Sequence, residues 1–195
     1  LDAYQYAAEV NPQLSQGRRH RVEHVETIDA ADIPRFGELG VIASMQPFHA
    51  NPSPSQISVW KANLGESRAS RAWVWNSIRE SGGRVAFGSD WPVVSLDPRI
   101  GLHMAVTRTT PGGEPTGGWL PSQKMTMAQA IDAYTTDAAY ASFEENRKGS
   151  LVPGMLADLI VFSDDVFNLQ PKAIQDVAVA VTIFDGEIVY TSEAD

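Results

Sequence analysis

Residues 84–93 read RVAFGSDWPV. A short apolar run closes on Gly88, and a serine, a carboxylate, a tryptophan and a proline follow at once. Because the run does not alternate polar with apolar residues, it predicts a strand over 84–88 buried on both faces, with Asp90 at its carboxyl end. The same grammar recurs upstream. Residues 67–81 predict a helix stopped by Gly82 and Gly83, after a long connection over 50–65. Residues 41–46 (VIASMQ) predict a second strand, closed by Pro47 and followed by His49. Asp29 can cap a helix running to Leu39, with Pro34 tolerated near its first turn and Gly40 ending it. Before it, residues 19–25 (RHRVEHV) form a first strand ending in His24, preceded by a turn-rich stretch at 11–17 and by an amphipathic helix at 1–10 with Leu1, Tyr4 and Ala8 on one face. Apolar strands alternating with helices at this spacing predict an α/β fold with parallel strands.

Downstream, helices are expected over 98–107 and 126–139, separated by a Gly- and Pro-rich loop at 111–121 long enough to act as a lid or a domain contact. From Lys148 the character changes. Gly149, Pro153 and Gly154 punctuate the chain, and residues 157–162, 177–184 and 187–190 read as strands. The last two flank Asp185-Gly186, a strong hairpin signal, because a type I′ turn needs positive φ at both central residues. The division this predicts is 1–148 as an α/β unit and 149–195 as a small β domain.

Composition narrows the function. The chain has 195 residues, 24 acidic against 15 basic, for a formal charge of −9. That balance repels phosphate backbones and anionic lipid surfaces, so neither nucleic acid nor membrane is an expected partner. No apolar stretch approaches the roughly 20 residues of a membrane-spanning helix. There is no cysteine, so a metal would have to be held by His, Asp, Glu or a modified Lys. The chain opens on Leu1 inside a helical pattern that has no N-cap, which reads as the interior of a longer protein. Without a targeting pattern the compartment stays open, the cytoplasm being the default.

Three side chains fall at successive strand ends: His24, His49 and Asp90. Parallel sheets and barrels place their chemistry there. Two imidazoles and a carboxylate can supply a divalent metal with N and O ligands, and Asp90 can take a proton from a water activated by that metal. Each residue also has a plain structural reading, since a single strand-end histidine is more often a hydrogen-bonded framework residue. His20, at a strand start, and His103, inside a helix, are read as structural, and Glu23 as pairing with a helix. Trp91 follows Asp90 and is the expected pocket wall, whereas Trp73 and Trp75 are expected to pack a helix. Ser89 lacks a nucleophile elbow, and no phosphate-binding glycine motif is present.

The runs RHRVEHVE (19–26), VIASMQPFH (41–49), VAFGSDWPV (85–93), RKGSLVPGMLADLIVF (147–162) and TIFDGEIVY (182–190), in this order, resemble the C-terminal half of the amidohydrolase superfamily. The branch is that of amidohydrolase family 3, the YtcJ-like and N-substituted formamide deformylase-like proteins. The resemblance implies about the sixth to eighth strands of a TIM-type barrel followed by strands of a small β-sandwich. It implies a metal-dependent hydrolase that cleaves a carbon–nitrogen bond other than a peptide, acting on a small molecule. Under it, His24 is a metal ligand, Asp90 contacts the metal and activates water, and His49 and Trp91 line the substrate pocket. The metal implied is divalent, zinc first, with one or two ions in the full-length protein. The family's His-x-His pair, its mid-barrel acidic residue or carbamylated lysine and its fifth-strand histidine have no counterpart here, so this chain alone is expected to be inactive. Two alternatives stand beside this: a non-catalytic small-molecule-binding or regulatory module of the same fold, and a piece that forms a homodimer through exposed sheet edges.

Overall fold

The computed structural model describes residues 1–12 and 18–192. Most of the turn-rich stretch expected at 11–17 lies outside them. The elements in chain order are α1 (Asp2–Val10), β1 (Arg21–Glu23), α2 (Ile33–Glu38), β2 (Ile42–Met45), α3 (Pro54–Ala69), α4 (Trp75–Glu80), β3 (Arg84–Phe87), α5 (Pro98–Thr107), α6 (Met127–Tyr134), α7 (Thr136–Ala141), β4 (Leu159–Phe162), β5 (Val179–Phe184) and β6 (Glu187–Thr191).

β1, β2 and β3 form a parallel sheet in that order, with Glu23 opposite Ser44 and Ser44 opposite Ala86. This register brings the carboxyl ends of all three strands level. β2 and β3 are buried because apolar side chains leave both of their faces: Val41, Ile42, Ala43, Met45, Val85 and Phe87 are each at most 5% exposed. The main core joins this sheet to Phe36, Trp73, Trp75, Ile78, Leu102 and Ala133. Asp29 accepts from Ala31 N and caps the 3-10 turn Ala30–Asp32 rather than α2 itself, which begins behind Asp32 and carries Pro34 in its first turn as expected.

Three helical expectations are corrected. The connection expected at 50–65 is largely α3, started by Ser53, whose hydroxyl accepts from Gln56 N. Gly65, at φ 75°, kinks it. The helix expected over 67–81 is broken, because Trp73 takes φ 48° and donates its N–H to Glu26 O at 2.9 Å while Ala72 bridges to Thr27. Burying Trp73 beside Trp60 and Trp119 outweighs helix continuity there. The helix expected over 126–139 divides at Thr135 into α6, which starts with a Thr126–Gln129 capping box, and α7.

β4, β5 and β6 form a separate antiparallel sheet. Asp185 and Gly186 join β5 to β6 with φ of 50° and 81°, as the turn chemistry requires. The 3-10 turn at Pro171–Asp176 docks on α5 through buried Ile174.

Candidate metal centre

The site is made by what each strand does as it ends. β1 stops at Glu23, and His24 and Val25 both enter the left-handed region, at φ 71° and 48°. His24 N donates to Ser44 O at 2.7 Å, which keeps the turn on the sheet. β2 ends at Met45. Gln46 remains extended before Pro47, and the 3-10 turn Pro47–Ala50 carries His49, whose N–H reaches Gln46 O at 3.0 Å. Gln56, in the first turn of α3, donates its side-chain amide to His49 O at 2.9 Å and fixes that turn from the other side. After β3, Gly88 N donates to Met45 O and Asp90 takes φ 60°, held by Val93 N on its carbonyl at 2.8 Å.

These three turns bring the side chains of His24, His49 and Asp90 together, with one ligand atom from each lying within 4.8 Å of the others. The imidazole rings of His24 and His49 stack at 5.7 Å between centroids. His49 Nε2 lies 3.8 Å from Asp90 Oδ2. It is buried and has no hydrogen-bond partner, an arrangement that strands a polar atom unless something else occupies the site. Tetrahedral ligands at about 2.0–2.2 Å from a metal sit roughly 3.3–3.6 Å apart. The His49–Asp90 separation is a few tenths of an ångström wider and the three ligand atoms lie within 4.8 Å of one another, so two N donors and one carboxylate O would close on a borderline divalent ion by small side-chain movements. His24 Nδ1 lies 2.9 Å from Oε1 of Gln46, which is buried.

The other residues singled out by the sequence fall elsewhere. Trp91 is 63% exposed, and its backbone N–H donates to Ser89 Oγ at 3.2 Å. Glu23 pairs not with a helix but with Arg21 two residues back on the same strand, Nε to Oε1 at 2.7 Å, because alternate strand residues share a face. His20 stacks on Tyr4. His103 is fully buried between Pro171 O and Thr110 O, each at 3.1 Å, a framework role. Trp73 and Trp75 are core residues. Beside the cluster, a pocket of about 210 Å³ is lined by Phe48, Ser89, Leu96, Pro98 and Tyr134. Burial pushes the Tyr134 phenol above its ordinary range, so it stays a neutral hydroxyl. Sequence reasoning missed Gln46. Its one signal was an amide closing an otherwise apolar strand.

The amidohydrolase family matches residues 1–190 of this chain. The chain is 31% identical to Protein LONG AFTER FAR-RED 3 of Arabidopsis thaliana, over 97% of its own length and 31% of that protein's. It is 27% identical to the N-substituted formamide deformylase of Arthrobacter pascens, over 97% of its length and 34% of the relative's. In fold it is similar to an uncharacterised metal-dependent hydrolase of Pyrococcus horikoshii, with a TM-score of 0.67 and 24% identity over 87% of this chain and 33% of that one. The chain thus spans about a third of the length of the curated relatives it matches.

Proposed function

The chain belongs to the amidohydrolase family, and we propose that the protein carrying it is a metal-dependent hydrolase that breaks a non-peptide, amide-like carbon–nitrogen bond in a small molecule. The observation that carries this reading is the convergence of His24, His49 and Asp90 from three adjacent parallel strand ends. In the same reading, β1, β2 and β3 are about the sixth to eighth strands of a TIM-type barrel, a fold of typically ~250 residues with its chemistry at the carboxyl ends of its strands. Residues 1–148 form that partial barrel, and residues 149–195 supply the C-terminal part of a small β-sandwich.

His24 and Asp90 hold the ion, zinc before other divalent metals. The sequence reading put His49 in the substrate pocket, and the unpartnered Nε2 of His49 3.8 Å from Asp90 favours metal contact as its second role. A divalent ion bound there supplies a Lewis acid that lowers a water's pKa towards neutrality. Asp90 is 38% exposed at its side chain, open enough to meet water while tied to the strand end. Its carboxylate takes one proton from the attacking water as the new carbon–oxygen bond forms. It then returns that proton to the departing nitrogen as the carbon–nitrogen bond breaks. The neighbouring pocket bounds the substrate, and Trp91, exposed and outside that pocket's lining, contributes only by its place next to Asp90. The excess of acidic residues favours a small-molecule substrate over nucleic acid or a membrane surface, and no described helix is long and apolar enough to cross a bilayer. The amide-like substrate class rests on the name of the 27%-identical deformylase.

Metal content by mass spectrometry, taken beside hydrolysis of N-substituted formamides and of an Xaa-Pro dipeptide by the full-length protein, tests this. The expected result is one or two ions per chain, turnover of the formamides in preference to the dipeptide, and a loss of about 10²- to 10⁴-fold in Asp90→Asn with the fold intact. Wild-type turnover in Asp90→Asn, or absence of metal from the full-length protein, overturns it. Tight small-molecule binding without turnover would instead mark a binding module of the same fold.

A further inference from the structure

We propose that Gln46 is the positioning residue of this centre, setting which nitrogen of His24 is free to bind the ion. This inference rests on the metal reading above and names a device within it. Gln46 is 5% exposed, and its Oε1 lies 2.9 Å from His24 Nδ1. A neutral imidazole has one N–H and one lone pair. With the amide oxygen accepting, the proton sits on Nδ1 and the lone pair is left on Nε2 for the ion. With the amide nitrogen donating instead, the proton would sit on Nε2 and His24 would leave the donor set.

The backbone of Gln46 acts in the same direction. Pro47 confines the residue before it to extended conformations, and Gln46 sits at φ −122°, ψ 101°. From there its carbonyl accepts the N–H of His49 at 3.0 Å. One residue therefore holds two histidines, His24 through its side chain and the His49 turn through its main chain. Gln46 is buried whereas His24 is exposed, so the amide is the fixed protein partner of a ring that is otherwise open to solvent. Partners of this kind on the far ring nitrogen fix the tautomer and raise ligand basicity, and losing one typically weakens metal binding about 10- to 100-fold.

The test begins on metal-free full-length protein, by long-range ¹H–¹⁵N correlation at His24. The expected state is the Nδ1–H tautomer, and an Nε2–H tautomer in the wild type overturns the inference without any variant. Zn²⁺ affinity is then measured by competition with a chelator. Gln46→Leu is expected to weaken Zn²⁺ about 10- to 100-fold, and Gln46→Glu, which keeps the acceptor oxygen, to stay near wild type. Equal loss in Gln46→Leu and Gln46→Glu, or wild-type affinity in Gln46→Leu, overturns it, provided that His24→Ala does weaken Zn²⁺. Unchanged affinity in His24→Ala removes the metal reading itself, and the inference with it. Should Gln46→Leu fail to fold, the wild-type tautomer and Gln46→Glu decide.

Discussion

His24 and Asp90 both hold left-handed backbone, at φ 71° and 60°, which costs an L-residue roughly 1–2 kcal/mol. Such conformations persist where the surroundings over-determine them, and they cluster at working sites. Here the hydrogen bonds from His24 N to Ser44 O and from Val93 N to Asp90 O hold the turns. Residue identity at a strand end was legible in the sequence, which is how His24, His49 and Asp90 were found. The role of Gln46 was not, because it depends on a neighbour 22 positions away. Asp97 shows another device that works at single-residue scale. It caps α5 by accepting from Arg99 N at 3.0 Å and pairs with the Arg99 guanidinium, which in turn reaches Val177 O. Hydrogen bonds from that guanidinium hold the Asp97 carboxyl below its ordinary value near 3.8. Its stabilisation is therefore complete above about pH 4 and is lost as pH falls through the lowered value. Asp97→Ala is expected to cost about 0.5–2 kcal/mol at pH 7, and the gap from wild type to shrink in acid. Urea denaturation at pH 7 and near pH 2.5 checks both, and an equal gap at the two pH values refutes the charge contribution.

At the scale of elements, the β5–β6 hairpin isolates a conformational effect from packing. A Cβ added at Gly186 would meet nothing within 4 Å, yet Gly186 sits at φ 81°. Gly186→Ala is thus expected to destabilise by about 1–2 kcal/mol through backbone conformation alone. Hydrogen exchange should show faster opening of the β5 and β6 amides with the parallel sheet unaffected, and wild-type protection in the hairpin would refute the assignment. This turn was legible because Asp-Gly between apolar runs dictates local geometry. The strands β2 and β3 were legible as unbroken apolar runs. α3 was not, because among its sixteen residues only Ile57, Trp60, Leu64 and Ala69 are apolar side chains turned from solvent, with polar Gln56 beside them, too sparse a stripe to register as a period. The break before α4 was equally hidden, since Trp73 leaves the helix to fill a core assembled from distant segments. Where local signal and tertiary demand agree, as at the Thr126 capping box, the expected start was the observed one.

At the scale of the whole molecule, two tendencies oppose each other. A formal charge of −9 keeps copies apart. Against it stands the edge strand β6, which pairs on one side only among the described residues and is exposed along its whole length, with Phe184, Ile188, Val189 and Tyr190 each at least half exposed nearby. Free strand edges bearing apolar side chains pair readily with another chain. Burying one large apolar side chain is worth about 1.5–3 kcal/mol, so two or three from each copy supply about 6–18 kcal/mol, and the roughly 4–15 kcal/mol that association costs cancels most of it. The chain of residues 1–195 is therefore expected to form a weak dimer, with a Kd of about 10 μM to 1 mM. Because the opposing repulsion is screened by salt, association should tighten from low salt to roughly 0.5 M NaCl. Sedimentation equilibrium over a concentration series reads this as a mean mass rising above the 21.2 kDa monomer. Ile188→Lys with Tyr190→Lys places a charge on each face of the edge strand, because the bulge between them pairs Ile188 with Ile183 and Tyr190 with Thr182, and should restore the monomer at every concentration. A strict monomer in the wild type would refute the dimer, and association that weakens with added salt would mean that charge pairing, not the apolar edge, joins the copies.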